Sequence, residues 1–171
     1  MSIMLRIGLV CFAAIAMLGI AIAAEDGCKK FAWSVASEQA LFPAPYKLIV
    51  AAGDTLATVP KAAFTIKLQS AGDAAFALPP ERKPRSDQSF GGMLRLPAID
   101  RAGIYQVTLS DEAWIDIVQD GRYARSVGST GRSDCPGIKK SVRMELNPAP
   151  VVFQLSGVAS DSIIVSISAV E

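Results

Sequence analysis

The sequence predicts an all-β protein: an antiparallel β-sandwich or jelly roll of about eight or nine strands after one short N-terminal helix. Three observations predict it. Apolar and polar residues alternate with a period of two through most of the chain after residue 46. Glycine, proline and aspartate separate the alternating stretches. An Asp-Gly pair, which is typical of a tight hairpin turn, joins two of them. A closed barrel is the alternative.

Residues 1–24 have the composition of a secretory signal peptide. Arg6 is the only charged residue among them, an apolar run follows it, and small residues end the stretch. Cleavage after Ala23 or Ala24 fits this pattern. A retained membrane anchor is the alternative, but about 16 apolar residues are fewer than the roughly 20 that a span needs. We therefore expect a periplasmic or secreted protein with no stable membrane span after cleavage.

Composition excludes several classes of function. Lys plus Arg number 17 and Asp plus Glu 16, so the net charge of +1 gives no basis for binding nucleic acid. The chain contains 0 histidines. It therefore cannot build by itself a Ser-His-Asp triad, a Cys-His dyad or a histidine-ligated metal site. We expect no catalytic residues, no metal and no cofactor.

The cysteines predict one disulfide. Cys11 lies in the predicted leader, which leaves Cys28 and Cys135 in the mature chain. An even pair in an oxidising compartment predicts a structural bridge, here closing a loop of about 107 residues. A redox or catalytic thiol is the alternative, but neither cysteine lies in a C-x-x-C motif and no histidine is present to activate one.

The mature chain is predicted to begin with a helical segment over residues 25–45. Between residues 29 and 42, Phe31, Val35 and Phe42 recur near helical spacing, with alanines between them. Two prolines follow directly. These features predict one short amphipathic helix that ends before the prolines.

Residues 46–171 are predicted to form the β domain. The clearest alternation predicts strands near residues 64–68, 105–109, 142–146, 151–155 and 163–167, with weaker runs at 48–50, 75–78 and 93–96. Strict alternation implies that one face of each strand lies in the core and the other in water. The most loop-like stretches are residues 79–89 and 126–137.

The hairpin at Asp120-Gly121 has a predictable register. A two-residue turn pairs Gln119 with Arg122, and the register then extends to Trp114 opposite Val127. One face of the hairpin is smaller and less charged, and is assigned to the core: Ala113, Ile115, Ile117, Ala124 and Ser126. The other face carries larger or charged residues: Trp114, Asp116, Val118, Tyr123, Arg125 and Val127.

This second face is the predicted binding site, formed by Trp114, Asp116, Tyr123 and Arg125. Aromatic rings beside an opposed acid and base suit a flat site for a sugar or a peptide. The alternative is ordinary sheet chemistry. A cross-strand Asp–Arg pair contributes only about 0.2–1 kcal/mol, and a tryptophan is often partly buried packing.

Two polar stretches are weaker candidates. Gly128, Gly131 and Arg132 lie in a glycine- and hydroxyl-rich stretch whose backbone N–H groups can cradle an anion. A flexible loop pinned by Cys135 is the alternative. Residues 79–85 are basic and proline-stiffened, which suits either docking of an acidic partner or a solvated loop.

The stretch GIYQVTLSDEAWIDIVQDGRYARSVGSTGRSDC, residues 103–135, is similar to a family of small secreted bacterial proteins. The resemblance continues through residues 139–143 and 154–159 and back to 81–84, so it covers most of the mature chain. Members of this family are often labelled homogentisate 1,2-dioxygenase. That enzyme holds a non-heme iron with two histidines and a carboxylate. A chain without histidine has no such set of ligands, so the resemblance implies no iron site here.

The strand pattern Gly-x-Tyr-x-Val-x-Leu at residues 103–109, with a later Trp-x-Asp strand, also resembles the pre-peptidase C-terminal domain. Those domains are secreted β-sandwiches appended to proteases, and they act as accessory binding modules. We therefore expect a secreted or periplasmic non-catalytic binding module for a carbohydrate or a peptide. The alternative is a structural or envelope-associated domain that binds a protein partner and no small molecule.

Overall fold

The computed structural model describes residues 27–45, 47–84 and 86–170. The predicted signal peptide at residues 1–24 lies outside these ranges. Among the described residues, no helix is long and apolar enough to cross a membrane.

The named elements are one helix and eleven strands, and residues 27–29 are also helical. In chain order they are α1 (Ala36–Leu41), β1 (Leu48–Ala51), β2 (Phe64–Lys67), β3 (Gln69–Ser70), β4 (Phe90–Leu96), β5 (Gly103–Leu109), β6 (Trp114–Gln119), β7 (Arg122–Tyr123), β8 (Ser126–Gly131), β9 (Lys140–Leu146), β10 (Val151–Val158) and β11 (Ser162–Ala169). The prediction of a mostly β protein is confirmed. The predicted strand number is too low, partly because β3 and β7 are only 2 residues long.

The strands form two separate sheets. The six-stranded sheet has the order β1-β2-β11-β5-β9-β8, and the five-stranded sheet has the order β3-β4-β10-β6-β7. Strand pairing is antiparallel in every named pair of the described chain except β1 with β2. Residues 75–78, a weak run that the alternation predicts as a strand, form no strand.

Apolar side chains of both sheets meet in one buried cluster. Phe64, Leu109 and Val165 of the six-stranded sheet belong to it, as do Leu94 and Phe153 of the five-stranded sheet. Phe64, Leu109 and Val165 are 0% exposed. Burial of such side chains contributes about 1.5–3 kcal/mol each, so this cluster is the main source of stability.

The faces turned away from this cluster are not simply exposed to water, and here the alternation rule was wrong. Gln106 and Thr108 of β5 are 7% and 0% exposed, and Gln154 of β10 is 1% exposed. These polar residues are buried because chain segments outside the sheets cover them. The N-terminal segment lies on β5 and β9, and residues 77–84 lie on β10 and β6.

The N-terminal segment has its own small core. Phe31, Val35 and Phe42 pack with Ile138 and the disulfide, so the predicted buried face is confirmed. The prediction of one helix is wrong in part, because in the described part of residues 25–45 only residues 27–29 and Ala36–Leu41 are helical, and turns and bends separate them. The preceding turns bring the Trp33 indole Nε1 to Ser141 Oγ, 2.8 Å away, on β9.

The predicted disulfide joins Cys28 and Cys135, with 4.6 Å between the Cα atoms and 107 residues between them in sequence. Close by in the same layer, α1 contributes a buried carboxylate. Glu38 is 3% exposed and accepts hydrogen bonds from Gln106 Nε2 at 2.9 Å and from Thr108 Oγ1 at 3.3 Å. These polar contacts fix the N-terminal segment to the outer face of the six-stranded sheet.

Candidate functional site

The predicted hairpin turn is present. Asp120 and Gly121 both have positive φ, 51° and 71°, which a type I′ turn requires. The pairs Val118–Tyr123 and Gln119–Arg122 match the predicted register, and the N–H of Ala124 still donates to Ile117.

Beyond Ala124 the predicted hairpin register is wrong. Residues 126–131 form β8, which pairs with β9 in the other sheet. The predicted partners of Asp116, Ile115 and Trp114 across the hairpin are therefore not formed. Within the predicted core face, Ala113, Ile115 and Ile117 are buried and Ala124 packs against the core, but Ser126 is exposed.

Residues 77–84, which we call the strap, cross the outer face of β10 and β6. The buried side chain of Gln154 fixes one end of the strap through three hydrogen bonds. Its Oε1 accepts from the N–H groups of Ala77 at 2.6 Å and Leu78 at 3.1 Å, and its Nε2 donates to the Leu78 carbonyl at 3.1 Å. The backbone groups of Ala77 and Leu78 thus bond to a side chain and not to a neighbouring strand. This explains why residues 75–78 do not form a strand.

Asp116 and Tyr123 fix the middle of the strap. Asp116 Oδ2 accepts from the Glu81 N–H at 3.2 Å, and its Oδ1 accepts from the Trp114 indole Nε1 at 2.7 Å. The Tyr123 hydroxyl donates to the Pro79 carbonyl. Three of the four residues predicted to bind a ligand therefore do lie together, but Asp116 and Tyr123 hold the strap and the Trp114 N–H is bonded to Asp116.

Trp114 is flanked by two cations. The Arg82 guanidinium, at the end of the strap, and the Lys140 ammonium, at the start of β9, each lie 5.4 Å from the centroid of its ring. Lys140 Nζ also donates to the Ala113 carbonyl at 2.5 Å. The ring surface is therefore shared with two positive charges, an arrangement worth about 0.5–2 kcal/mol per contact.

A cleft of about 480 Å³ opens beside this tryptophan. Its walls come from the strap and the loop after it, from the start of β6 and of β9, and from the end of β10. Its charged lining residues are three cations and one carboxylate: Arg82, Lys83, Lys140 and Glu112. A cleft of this volume falls in the range of about 300–1,000 Å³ that is usual for small-molecule sites.

Two buried hydroxyl groups of the cleft wall have no hydrogen-bond partner in the described part of the chain. They belong to Ser89 and Ser156, which are 6% and 3% exposed. Ser156 stands opposite Trp114 in the β10–β6 ladder. The next residue, Gly157, has φ of 72° and lies where the register of β10 against β4 shifts. Buried polar groups without partners are rare in folded proteins. Ser166 of β11 carries a third such hydroxyl, away from the cleft, and only the pair at Ser89 and Ser156 belongs to residues that line a common cavity.

The fourth predicted ligand-binding residue, Arg125, does not lie in this cleft. It forms an ion pair with Glu145 instead, with 2.6 Å between Nη2 and Oε2. The departure of the chain into β8 separates Arg125 from Asp116, so the predicted acid–base pair does not exist.

The Arg125–Glu145 pair is exposed, with 69% and 49% of the two side chains accessible. We therefore expect Arg125→Ala to change the free energy of unfolding by less than about 1 kcal/mol and to leave ligand binding unchanged. Chemical denaturation and the titrations proposed below check this. A loss of binding in Arg125→Ala would contradict the placement of the site.

The stretch predicted as an anion-binding loop is a strand over Ser126–Gly131, and anion binding there stays a prediction. Gly128 and Gly131 lie in β8, where they are paired with Arg143 and Lys140 of β9. Gly128 lies against the Trp33 ring, since a Cβ there would come within 3.2 Å of it. The Arg132 guanidinium donates to the Lys30 carbonyl at 2.9 and 2.6 Å. This stretch is thus an edge strand with a side-chain contact to the N-terminal segment, and not the flexible loop that the sequence predicts.

The electrostatics beneath the strap are unfavourable to ionisation of Asp116. Burial raises the pKa of Asp116 above its ordinary value of 3.8, while hydrogen bonds from Trp114 and Glu81 oppose this effect. Partial desolvation raises the pKa of Tyr123 above 10.0, and the nearby carboxylates of Asp116 and Glu81 add to this shift.

The raised pKa of Asp116 predicts a pH dependence. The folded protein holds the proton of Asp116 to a higher pH than the unfolded chain, so stability falls as pH rises above 3.8 and through the folded-state pKa. We therefore expect the unfolding free energy of the wild type minus that of Asp116→Asn to fall as pH rises over this interval. Urea unfolding of both proteins between acidic and neutral pH measures the difference. A constant or rising difference would contradict the raised pKa.

The cleft beside Trp114 is the better candidate of two cavities with the same volume. The other, also about 480 Å³, lies beside Phe42, Pro43, Ile138 and Ile164, and no charged residue lines it. In the part of the chain that the structure describes, no group of three cysteine, aspartate or glutamate side chains is placed to hold a metal ion.

The sequence points to some residues of the cleft and not to others. The basic, proline-rich stretch had singled out Arg82 and Lys83, and a glycine inside the β10 pattern was a sign of a bulge at Gly157. No local signal pointed to Lys140, Ser89 or Ser156, because they reach the cleft only through the sheet topology.

Comparisons with known protein families, with curated proteins and with solved structures found no match to this chain.

Proposed function

We propose that this protein is a secreted or periplasmic, non-catalytic binding module, and that its ligand site is the cleft beside Trp114. We also propose that its two sheets pack as a β-sandwich, because one hydrophobic cluster draws side chains from both. The two resemblances described above, to small secreted bacterial proteins and to pre-peptidase C-terminal domains, are consistent with this assignment and remain predictions.

The observation that carries the proposal is a pair of hydroxyls in the wall of a cleft, those of Ser89 and Ser156, which have no partner among the residues that the structure describes. A buried hydroxyl without a partner costs about 1–3 kcal/mol. Both serines line the same space of about 480 Å³, with their Oγ atoms buried in its wall, so a polar ligand that contacts those atoms would satisfy both. Trp114 and the cations beside it add apolar and charged contacts at the same place.

A non-catalytic role is favoured by the chemistry of the cleft. Its lining includes one carboxylate, Glu112, whereas hydrolysis of a glycosidic bond ordinarily uses two. No histidine exists in the chain to act as a general base.

The fluorescence of Trp114 tests this function. In a Trp33→Phe protein, Trp114 is the only remaining tryptophan of the described chain, and its emission is followed during titration with neutral saccharides, acidic saccharides and short peptides. We expect emission to change with one class of ligand. The matched control is Trp114→Phe, in which Trp33 reports and should not respond to the same ligand.

The second candidate function is an envelope-associated protein-interaction domain. The observation that favours it is β1, an edge strand on which Leu48 and Ile49 are 54% and 64% exposed. Exposed apolar edges are ready to pair with another chain. Two results together would favour this second function over the first. Trp114 emission would respond to none of the saccharides or peptides, and Ile49→Lys would abolish binding of the protein to an envelope protein.

A further inference from the structure

We propose that the ligand of the Trp114 cleft is an acidic saccharide, with its carboxylate near Arg82 and Lys83 and its hydroxyl groups against Ser89 and Ser156. This inference rests on the proposed function, because it names the ligand class of the same site.

The charge of the cleft favours an anion. Arg82, Lys83 and Lys140 line it against the single carboxylate of Glu112. The whole chain, by contrast, has a net charge of only +1. The lining of the cleft therefore carries two more cations than carboxylates, and a low-dielectric wall strengthens its attraction for an oxyanion.

The environment of Trp114 also argues against a neutral sugar. Neutral sugars are commonly held by stacking on an open aromatic face, but two cations lie within 5.4 Å of this ring centroid. The indole N–H is engaged as well, since it donates to Asp116 at 2.7 Å. In this arrangement the tryptophan positions cations toward a ligand, and the cations supply the main attraction.

The hydroxyl groups argue for a ligand larger than an inorganic anion. The hydroxyls of Ser89 and Ser156, which have no partner among the described residues, add two hydrogen-bonding groups to the charged ones in the wall of a space of about 480 Å³. A sulfate or phosphate ion fills only a small part of such a volume. A sugar acid carries one carboxylate and several hydroxyls on one ring, which matches both kinds of group.

Isothermal titration of the oxidised protein with glucuronic acid, glucose, sulfate and phosphate tests the inference. We expect glucuronate to bind at least about tenfold more tightly than glucose, a difference of about 1.4 kcal/mol. Raising the salt concentration from about 0.1 M to about 1 M should weaken glucuronate binding, because the screening length falls from about 10 Å to about 3 Å.

Two variants separate ligand contact from structural damage. Ser156→Ala removes a hydroxyl that has no partner in the described chain, so it should leave the unfolding midpoint unchanged or raised while weakening glucuronate binding several-fold. Lys83→Ala should weaken it by about tenfold or more. The matched control is Lys67→Ala, an exposed lysine of β2 in the other sheet, which should bind as the wild type does.

The outcomes are distinguishable from those for the proposed function. Glucose or a peptide binding as tightly as glucuronate would overturn the acidic-saccharide inference and leave the binding module standing. Sulfate or phosphate binding as tightly as glucuronate would overturn the saccharide part. A Trp114 signal that responds to no saccharide or peptide would overturn both. Unchanged affinity in Ser156→Ala and Lys83→Ala would contradict the placement of the ligand.

Discussion

Replacement of both Cys28 and Cys135 by alanine is expected to lower the free energy of unfolding by about 2–5 kcal/mol. The bridge joins residues 107 apart in sequence. Its loss therefore raises the conformational entropy of the unfolded chain and stabilises the unfolded state. The bridge also ties the start of the N-terminal segment to the loop before β9. Both sulfurs lie in the small core with Phe31 and Val35, so the substitution leaves a cavity there as well.

Urea unfolding under non-reducing conditions measures this loss. Wild-type protein treated with a reductant is the matched control, and it should lose a similar amount. We expect the N-terminal segment to become sensitive to protease first, because only non-covalent contacts, such as those of Trp33 and Glu38 with the sheet and of Lys30 with Arg132, then hold it. A loss below about 0.5 kcal/mol would mean that the bridge contributes little and that the network around Glu38 fixes the segment.

Gln154→Leu is the second change with a large expected effect. Leucine keeps the buried volume but makes none of the three hydrogen bonds to Ala77 and Leu78. Backbone groups left without partners cost about 1–3 kcal/mol each when water cannot reach them. We expect a loss of about 2 kcal/mol or more in unfolding free energy, together with a loosened strap.

The strap supplies Arg82 to the cleft, so Gln154→Leu should also weaken ligand binding although Gln154 does not line the cleft. Limited proteolysis near residues 79–83 and the titrations described above measure both effects. The control is Gln69→Leu, an exposed glutamine on β3, which should change neither. Unchanged protease resistance in Gln154→Leu would show that Asp116 and Tyr123 hold the strap without it.

The sequence predicted best what depends on neighbouring residues. The Asp120-Gly121 turn sets its own register, and the two pairs next to it are as predicted. Alternation located β5, β9, β10 and β11, and the cysteine count located the disulfide. These features follow from local backbone geometry or from a simple constraint on the chain.

The covered outer faces could not be predicted in the same way. Gln106, Thr108 and Gln154 alternate with apolar residues, as solvent-facing side chains do, yet they are buried. Their partners, Glu38 and the strap backbone, lie about 70 or more residues away in sequence, with separations of 68 for Gln106–Glu38 and 77 for Gln154–Ala77. Alternation shows which residues share a face, but not which segment covers that face.

The same limit explains the candidate site. Trp114, Asp116 and Tyr123 were found because they share one face of a predictable hairpin. Arg125 was added in error, since the point where the chain leaves the hairpin for the other sheet depends on pairing with β9. The cations and hydroxyls of the cleft come from four separate parts of the chain, which only the fold brings together.

The two tryptophan indole N–H groups offer the most direct test of the proposed site. Trp114 donates to Asp116 beside the cleft, whereas Trp33 donates to Ser141 on the other sheet. In a ¹H–¹⁵N NMR spectrum each gives its own indole resonance, which Trp33→Phe assigns. Titration with glucuronate should shift the Trp114 resonance in a saturable way and leave that of Trp33 in place. A saturable shift of Trp33 with Trp114 unmoved would contradict the assignment of the cleft as the binding site.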